Sequence, residues 1–134
     1  MSGLAKIQKC AGKILILDSG QENAIAIRIA LDKAGIRSGA FSDPRKALEY
    51  FYRHPDEYSL ILSDIRMPAM SGFEFVRRIR SVRPEAKIIL MTAFAIDLSE
   101  FVKVFPSTKV DGFIQKPFSM RALDDTIQSM QAEA

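Results

Sequence analysis

The sequence predicts an α/β domain in which a parallel β-sheet carries helices on both faces. Short apolar runs of strand length recur along the 134-residue chain, separated by stretches long enough for helices. The connections between these segments are short and contain Gly, Pro, Ser or Asp, the residues that favour turns and helix ends. Strands alternating with helices over short connections favour a parallel sheet with right-handed crossovers.

The first strand-helix unit follows a short N-terminal lead. Residues 13–17 are almost wholly apolar and end on Asp18, a pattern typical of a strand buried on both faces. In residues 22–34 the apolar positions fit both a strand and a helix. We predict a helix there, because the segment is longer than a typical strand and Gly35 suits the position just after a helix.

The second unit begins with a weaker strand over residues 37–41. Asp43 then suits the N-cap of a helix and Pro44 its first turn, and Pro55 ends that helix. The predicted buried face of this helix carries Ala47, Leu48 and Phe51.

The third unit places an acid at the end of a strand, because the apolar run 59–63 leads directly into Asp64. Ser71 and Gly72 open the following helix, and Pro84 ends it. We predict that three residues of this helix point inward, namely Phe73, Val76 and Ile79. The arginines of this stretch are predicted to point largely outward: Arg77, Arg78, Arg80 and Arg83.

The last two units repeat the same pattern. Residues 87–91 form a buried strand that ends on Thr92, and residues 97–104 form a short helix with a modest apolar face. Residues 110–115 form a fifth strand that leads into Lys116. A final helix has Ser119 as its N-cap and one apolar face of Leu123, Ile127 and Met130, which Met120 extends.

Five units of this kind predict the doubly wound, flavodoxin-like (βα)5 fold, with strand order 2-1-3-4-5. The length suits one domain with a single substantial core. We assign residues 13–131 to that domain, residues 1–12 to an N-terminal lead and residues 132–134 to a C-terminal tail.

The composition excludes several classes of protein. With 48% hydrophobic and 26% charged residues, the chain is typical of a soluble globular domain. No apolar run approaches the roughly 18 residues of a membrane span, and residues 1–12 lack the features of a signal peptide. We therefore expect a cytoplasmic protein with no membrane partner. Cys10 is the only cysteine and His54 the only histidine, so a zinc site is not expected.

The net charge is +3, which is a mild excess, and the four arginines of residues 77–83 lack interleaved aromatic residues. This pattern favours a solvated helix face over a nucleic-acid-binding surface.

Four polar side chains stand where predicted strands end: Asp18, Asp64, Thr92 and Lys116. The carboxyl ends of parallel strands lie at one rim of the sheet, so these side chains are expected to converge. Two close carboxylates repel unless a cation intervenes, and oxygen ligands beside a phosphate suit Mg²⁺. Together with the Thr92 hydroxyl and the Lys116 ammonium group, the two carboxylates predict a site that accepts a phosphoryl group.

At these residues the chain resembles the response-regulator receiver domains of two-component signalling. The resemblance extends over about residues 13 to 131 and rests on several separated motifs that occur in order. These are Asp18 after the first strand, Ser63-Asp64-Ile65-Arg66-Met67-Pro68 with Ser71-Gly72, Met91-Thr92-Ala93, and Phe113-Ile114-Gln115-Lys116-Pro117-Phe118.

The resemblance implies a role for each matching residue. Asp64 corresponds to the aspartate that takes a phosphoryl group from the phosphohistidine of a histidine kinase or phosphotransfer protein. Thr92 corresponds to the hydroxyl that meets the phosphoryl group, Lys116 to the lysine that pairs with it, and Phe113 to the aromatic switch residue. The peptide bond before Pro117 corresponds to one that is cis in the family. Such a domain is not an enzyme, beyond assisting its own phosphorylation and dephosphorylation.

The resemblance also implies a Mg²⁺ site formed by Asp18, Asp64 and the backbone carbonyl of Arg66. The family usually has two adjacent acids after the first strand, whereas Ser19 follows Asp18 here. Loss of one carboxylate should weaken metal binding, because ligand charge helps to set the affinity. Glu22 could compensate, although an acid in a first helical turn also fits a favourable charge at a helix N-terminus.

Two hypotheses follow. In the first, the chain is a stand-alone phosphorylatable receiver, or one excised from a longer regulator, and it signals through a protein partner on residues 97–130. In the alternative, it is a pseudo-receiver interaction module that is not phosphorylated because Ser19 leaves the metal site incomplete. A flavin carrier is disfavoured by the short loop at residues 19–21. An aspartate-dependent hydrolase is disfavoured because Arg66 stands where its second acid would be needed.

Overall fold

The computed structural model describes residues 13–92 and 110–132 of the chain. Five strands form one sheet: β1 (Ile14–Leu17), β2 (Ser38–Phe41), β3 (Leu60–Asp64), β4 (Lys87–Thr92) and β5 (Gly112–Gln115). The described helices are α1 (Gln21–Lys33), α2 (Pro44–Arg53), α3 (Gly72–Val82) and α4 (Met120–Ala132). The helix predicted over residues 97–104 lies outside the described part of the chain.

The strand order is β2-β1-β3-β4-β5, and every neighbouring pair is parallel. The predicted doubly wound sheet is therefore confirmed. Because β1 and β3 are neighbours, the residues that follow or end these two strands lie side by side at the same rim. We call this the carboxyl rim, and the opposite side of the sheet, where the strands begin, the amino rim.

Local sequence signals define the helix ends. The Asp43 side chain accepts a hydrogen bond of 2.9 Å from the Arg45 amide at the start of α2, and Ser71 accepts one of 3.2 Å from the Glu74 amide in α3. After α1, Gly35 takes a φ of 79°, a backbone conformation that glycine adopts without steric cost. None of the described helices has both the length and the apolar composition to cross a membrane.

The core has two layers, one on each face of the sheet. Alternate residues of β1 serve both layers: Ile14 and Ile16 pack with α1 and α4, while Leu15 and Leu17 pack with α2 and α3. Every residue of β1 and β3 is buried, which explains why these strands appear in the sequence as continuous apolar runs.

The buried face of α3 differs by one residue from the prediction. Phe75 is fully buried, whereas Phe73 is only partly buried against the same layer. The buried residues Gly72, Phe75, Val76 and Ile79 follow the spacing of one helix face, so Phe75 belongs to it and Phe73 lies at its margin.

The solvent exposure of the four arginines in residues 77–83 also differs from the prediction. Arg77 and Arg78 are exposed and pair with Glu74, as a solvated face requires. Arg80 and Arg83 are instead largely shielded from solvent. Arg80 donates to the carbonyls of Pro84 and Ala86 at 2.7 Å each, and Arg83 donates to the carbonyls of Pro55 and Tyr58.

Candidate functional site

Two buried carboxylates lie side by side at the carboxyl rim. Asp18 follows β1 directly and Asp64 is the last residue of β3, so the pairing of these strands makes the two side chains neighbours. Asp18 is 1% exposed and Asp64 is 5% exposed. Such burial is costly for charged groups unless they are paired, so these acids require a cation beside them.

The ammonium group of Lys116 bridges the two acids. Its Nζ atom lies 3.0 Å from Asp18 Oδ2 and 2.8 Å from Asp64 Oδ1. Lys116 follows β5, and its backbone amide donates a 2.7 Å hydrogen bond to the carbonyl of Thr92 at the end of β4. The peptide bond between Lys116 and Pro117 is cis, as the resemblance implied.

The loop after β1 binds the other oxygen of each carboxylate. The amide of Ser19 donates to Asp64 Oδ2 at 3.1 Å, and the Ser19 hydroxyl lies 3.4 Å from the same atom. The amide of Gly20 donates to Asp18 Oδ1 at 2.8 Å. Each carboxylate is therefore held between the lysine on one side and the 18–20 backbone on the other.

The loop after β3 is held close to Asp64 by a glycine. The Gly72 amide donates a 2.7 Å hydrogen bond to the carbonyl of Ile65. A Cβ atom at position 72 would lie 2.2 Å from the backbone oxygen of Asp64, a distance that no real side chain tolerates. Gly72 therefore allows the start of α3 to approach the end of β3, which keeps the 65–71 loop beside the acid.

The electrostatics of the pair follow from burial and from the single cation. Burial raises the pKa of Asp64, and the neighbouring charge of Asp18 raises it further, against the opposing effects of Lys116 and the Ser19 amide. Burial alone would lower the pKa of Lys116. Its hydrogen bonds to Asp64 and Asp18 outweigh that effect, so the pKa of Lys116 is raised and the lysine stays protonated.

The donor atoms suit a hard divalent cation only in part. Asp18 and Asp64 offer carboxylate oxygens, the ligands that Mg²⁺ prefers. Within the described residues, however, no cluster of three Asp, Glu, His or Cys side chains exists that could hold a metal. Ser19 presents a hydroxyl where a second adjacent acid would add a charge, and Glu22 lies exposed in the first turn of α1. The site fits Mg²⁺ with a smaller ligand charge than a complete acidic pair would provide.

The structure brings together most of the residues that the sequence singled out. Asp18, Asp64 and Lys116 are in direct contact, and Thr92 is buried at the end of the neighbouring strand β4. Phe113 is partly buried on β5 and packs against the layer formed with α2 and α3. The role of Ser19 as a donor to Asp64 was not predicted, because the sequence indicated only what the residue lacks.

A cleft of about 510 Å³ opens beside the acids, between α1 and the segment after β5. Asp18 and Lys116 line its inner end, and its walls are mostly apolar: Ala26, Ile27, Ala30, Phe118 and Met120. Asp18 and Lys116 therefore border an apolar cleft.

Comparisons with known proteins agree with this architecture. The family model "Response regulator receiver domain" matches residues 14–128. The response regulator receiver protein CpdR of Brucella abortus is 33% identical over 119 residues, which are 88% of this chain and 95% of CpdR. The sensor kinase CckA of the same organism is 33% identical over 85 residues, 63% of this chain but only 9% of CckA. The regulatory protein VanRB of Enterococcus faecalis is 28% identical over 118 residues, and the match covers 88% of this chain and 51% of VanRB.

Solved structures give the same result. The chemotaxis protein CheY4 of Vibrio cholerae superimposes with a TM-score of 0.76 at 27% sequence identity, covering 88% of this chain and 97% of CheY4. A receiver domain protein from Clostridium thermocellum, at 21% identity and a TM-score of 0.76, shares the fold. The family match over most of the chain, together with the acid pair and lysine at the carboxyl rim, shows that this protein belongs to the response regulator receiver domain family of two-component signalling.

Proposed function

We propose that Asp64 accepts a phosphoryl group from the phosphohistidine of a histidine kinase or phosphotransfer protein. The observation that carries this proposal is the contact of Lys116 Nζ with both Asp64 and Asp18 at the buried carboxyl rim. A scaffold used only for binding gains nothing from two buried acids that share one cation, since burying charges is costly. This chain is similar to CpdR and to part of the sensor kinase CckA. These similarities support a histidine kinase as the class of partner.

The residues at the rim suit this transfer. A carboxylate oxygen of Asp64 attacks phosphorus, the phosphorus–nitrogen bond to the histidine breaks, and its electron pair remains on the imidazole. The product is an acyl phosphate. Lys116 lies close enough to neutralise negative charge on the incoming group, which is the main task of a protein in phosphoryl transfer. Thr92, at the same rim, supplies a hydroxyl that can donate to a phosphoryl oxygen.

Receiver domains generally bind Mg²⁺ at their acidic site. In this chain we propose that Asp18, Asp64 and the backbone carbonyl of Arg66 hold the ion. When bound, Mg²⁺ supplies positive charge next to the phosphoryl oxygens. The ion binds weakly here, because Ser19 contributes no charge.

Output is proposed to pass from the site to a protein partner on residues 97–130, in the cytoplasm. Thr92 and Phe113 connect the site to this surface, since they lie on the adjacent strands β4 and β5. Movement of the Thr92 hydroxyl toward a phosphoryl group would leave room for the partly buried Phe113 ring to turn inward. Phosphorylation then shifts a population between two arrangements of that surface.

A phosphorylation assay tests the proposal. The full chain is incubated with millimolar Mg²⁺ and phosphoramidate, and the intact mass is measured. We expect a gain of one phosphoryl group that Asp64→Asn abolishes. Asp124→Asn is the matched control, because Asp124 is an equally buried aspartate on α4, and it should retain the gain.

A second readout applies if the acyl phosphate on Asp64 is hydrolysed before its mass can be measured. Fluoroberyllate with Mg²⁺ should shift the amide resonances of Thr92 and Lys116 in the wild type and not in Asp64→Asn. If neither phosphoramidate nor fluoroberyllate has an effect, the proposal fails, and an interaction module that is not phosphorylated takes its place.

A further inference from the structure

The outer edge of β2 carries an unused ladder of backbone hydrogen-bonding groups. The Ile14 amide donates to the Arg37 carbonyl at 3.0 Å, and the Asp18 amide donates to the Phe41 carbonyl at 3.1 Å. Odd-numbered residues of this strand therefore face β1. The amide and carbonyl groups of Ser38 and Ala40 point the opposite way, and within the described residues nothing pairs with them.

This edge is short, at four residues, but it lacks the other features that usually protect an edge strand. Natural sheets place charges, prolines or bulges on such strands to prevent pairing with another chain. The four residues of β2 are Ser, Gly, Ala and Phe, and none is charged. The strand thus remains able to accept a further strand.

Two apolar side chains of α1 stand beside this edge. Ile25 is 38% exposed and Ile29 is 47% exposed, one helical turn apart. The side chains of Ser38 and Ala40 on the same face of the sheet are small, so a groove remains between α1 and β2. It consists of two adjoining clefts of about 270 and 310 Å³, and Arg28 and Ser38 line both of them. We call this surface the β2 groove.

The groove also contains unpaired polar groups. The hydroxyl oxygen of Ser38 is buried and has no hydrogen-bond partner in the described part of the chain. Arg28 and Arg37 line the groove, and neither forms an ion pair with a described residue. Lys13, the third lining cation, is paired with Glu57 at 2.9 Å, and Asp32 is the only lining acid, so the two arginines outnumber the acid. The charge of the groove is therefore positive.

We propose that the β2 groove binds an extended, acidic segment of a partner protein by strand addition. The segment would pair its backbone with Ser38 and Ala40, place β-branched or other apolar side chains against Ile25 and Ile29, and direct a carboxylate to Arg28 or Arg37. This mode takes affinity from main-chain hydrogen bonds and specificity from alternate side chains. The surface is separate from the phospho-acceptor site, so the proposal does not depend on phosphorylation.

Charge distinguishes this occupant from two others. Residues 1–12 precede Lys13, which lines the groove, but their sequence carries Lys6 and Lys9 and no acid. A second copy of the chain would bring Arg28 and Arg37 toward the same two arginines. An acidic segment is the occupant that the positive lining attracts.

The test is a selection of random octapeptides displayed on phage against the full-length protein. We expect the selected peptides to be enriched in Asp and Glu alternating with Val and Ile, and to shift the amide resonances of Ser38 and Ala40. Arg28→Glu should weaken their binding roughly tenfold or more. Ala40→Pro should abolish it, because proline removes an outward amide that β1 does not use.

Lys46→Glu reverses an exposed cation on α2 and is the charge control, which should leave binding unchanged. If Ala40→Pro does not fold, Ile29→Ser provides a second variant, which should weaken binding by a similar factor. The proposal is overturned if no acidic peptides are selected or if all the groove variants bind like the wild type. It is also overturned if Ala40→Pro dissolves a dimer seen by light scattering, or if deletion of residues 1–12 is needed before any peptide binds.

Discussion

At the amino rim of the sheet, Arg80 meets Asp111 at 2.9 Å, whereas at the carboxyl rim Lys116 meets two carboxylates at once. The amino-rim pair is fully supported by backbone groups. Asp111 also accepts from the Ile88 amide at 2.8 Å, and Arg80 also donates to two carbonyls. In this pair the charges balance, and each partner has further polar contacts.

The carboxyl rim has an excess of negative charge instead. Asp18 and Asp64 share one ammonium group, and both are more deeply buried than Asp111. The difference separates two uses of charge within one fold. A balanced pair with backbone partners fixes a loop, while an unbalanced pair can still attract a further cation, which in turn can neutralise the charge of a phosphoryl group.

Removal of the cation at each rim should have the largest effect. We expect Lys116→Met and Arg80→Met each to lower the free energy of unfolding by about 3 kcal/mol, because each leaves shielded groups without their charged partner. Urea unfolding of the two variants measures this loss.

A second substitution then distinguishes the rims. Adding Asp64→Asn to Lys116→Met should restore most of the lost stability, because it removes the repulsion between the two acids. Adding Asp111→Asn to Arg80→Met should restore little, because the carbonyls of Pro84 and Ala86 remain without a donor. Equal rescue at the two rims would show that the contrast is wrong.

A smaller effect is expected from Asp64→Asn alone. The pKa of Asp64 is raised in the folded protein, so folding favours its protonated form. The contribution of Asp64 to stability is fully present below the ordinary aspartate pKa of about 3.9 and is lost as pH rises through the folded-state value. At neutral pH the asparagine variant should therefore be more stable than the wild type, by on the order of 1 kcal/mol.

Urea unfolding over a pH series checks this sign. The advantage of Asp64→Asn should decrease as the pH falls toward 4 and below. Lys116 keeps Asp18 as a partner in the variant, so loss of the lysine contact should not reverse the effect. A variant less stable than the wild type at neutral pH would contradict the argument.

The sequence was sufficient for the sheet and for the position of the acids. Asp18 and Asp64 end continuous apolar runs, and parallel topology alone brings such ends to one rim. Helix starts at Asp43 and Ser71 were also predictable, because the capping signal is local.

Contacts that join distant segments were not predictable in this way. The sequence predicts that Arg80 points largely outward, but its shielded position depends on Asp111, which is 31 residues away. Similarly, the sequence at Ser19 indicated only that the second acid usual after Asp18 is absent. Its hydrogen bond to Asp64 appears once β1 and β3 are paired, 45 residues apart. Local patterns determine elements and caps, while these contacts depend on how the loops meet.

Ser19 offers the smallest and most specific change at the carboxyl rim. Ser19→Asp would place a third carboxylate next to Asp64 Oδ2, where the serine hydroxyl now lies at 3.4 Å. Without metal, the added repulsion should lower the free energy of unfolding by about 1 kcal/mol. With metal, the same charge should strengthen Mg²⁺ binding by on the order of tenfold.

The two opposite signs make this test decisive for the metal site. Mg²⁺ is titrated against the wild type and Ser19→Asp, with binding followed by calorimetry and by the amide resonance of residue 19. Ser42→Asp adds the same charge at an exposed position of the same rim, after β2, and should change both quantities much less than Ser19→Asp. A third carboxylate that destabilised the protein without increasing Mg²⁺ affinity would mean that Lys116 already satisfies both acids. The excess negative charge of this rim would then bind Mg²⁺ no better than the balanced pair at the amino rim does.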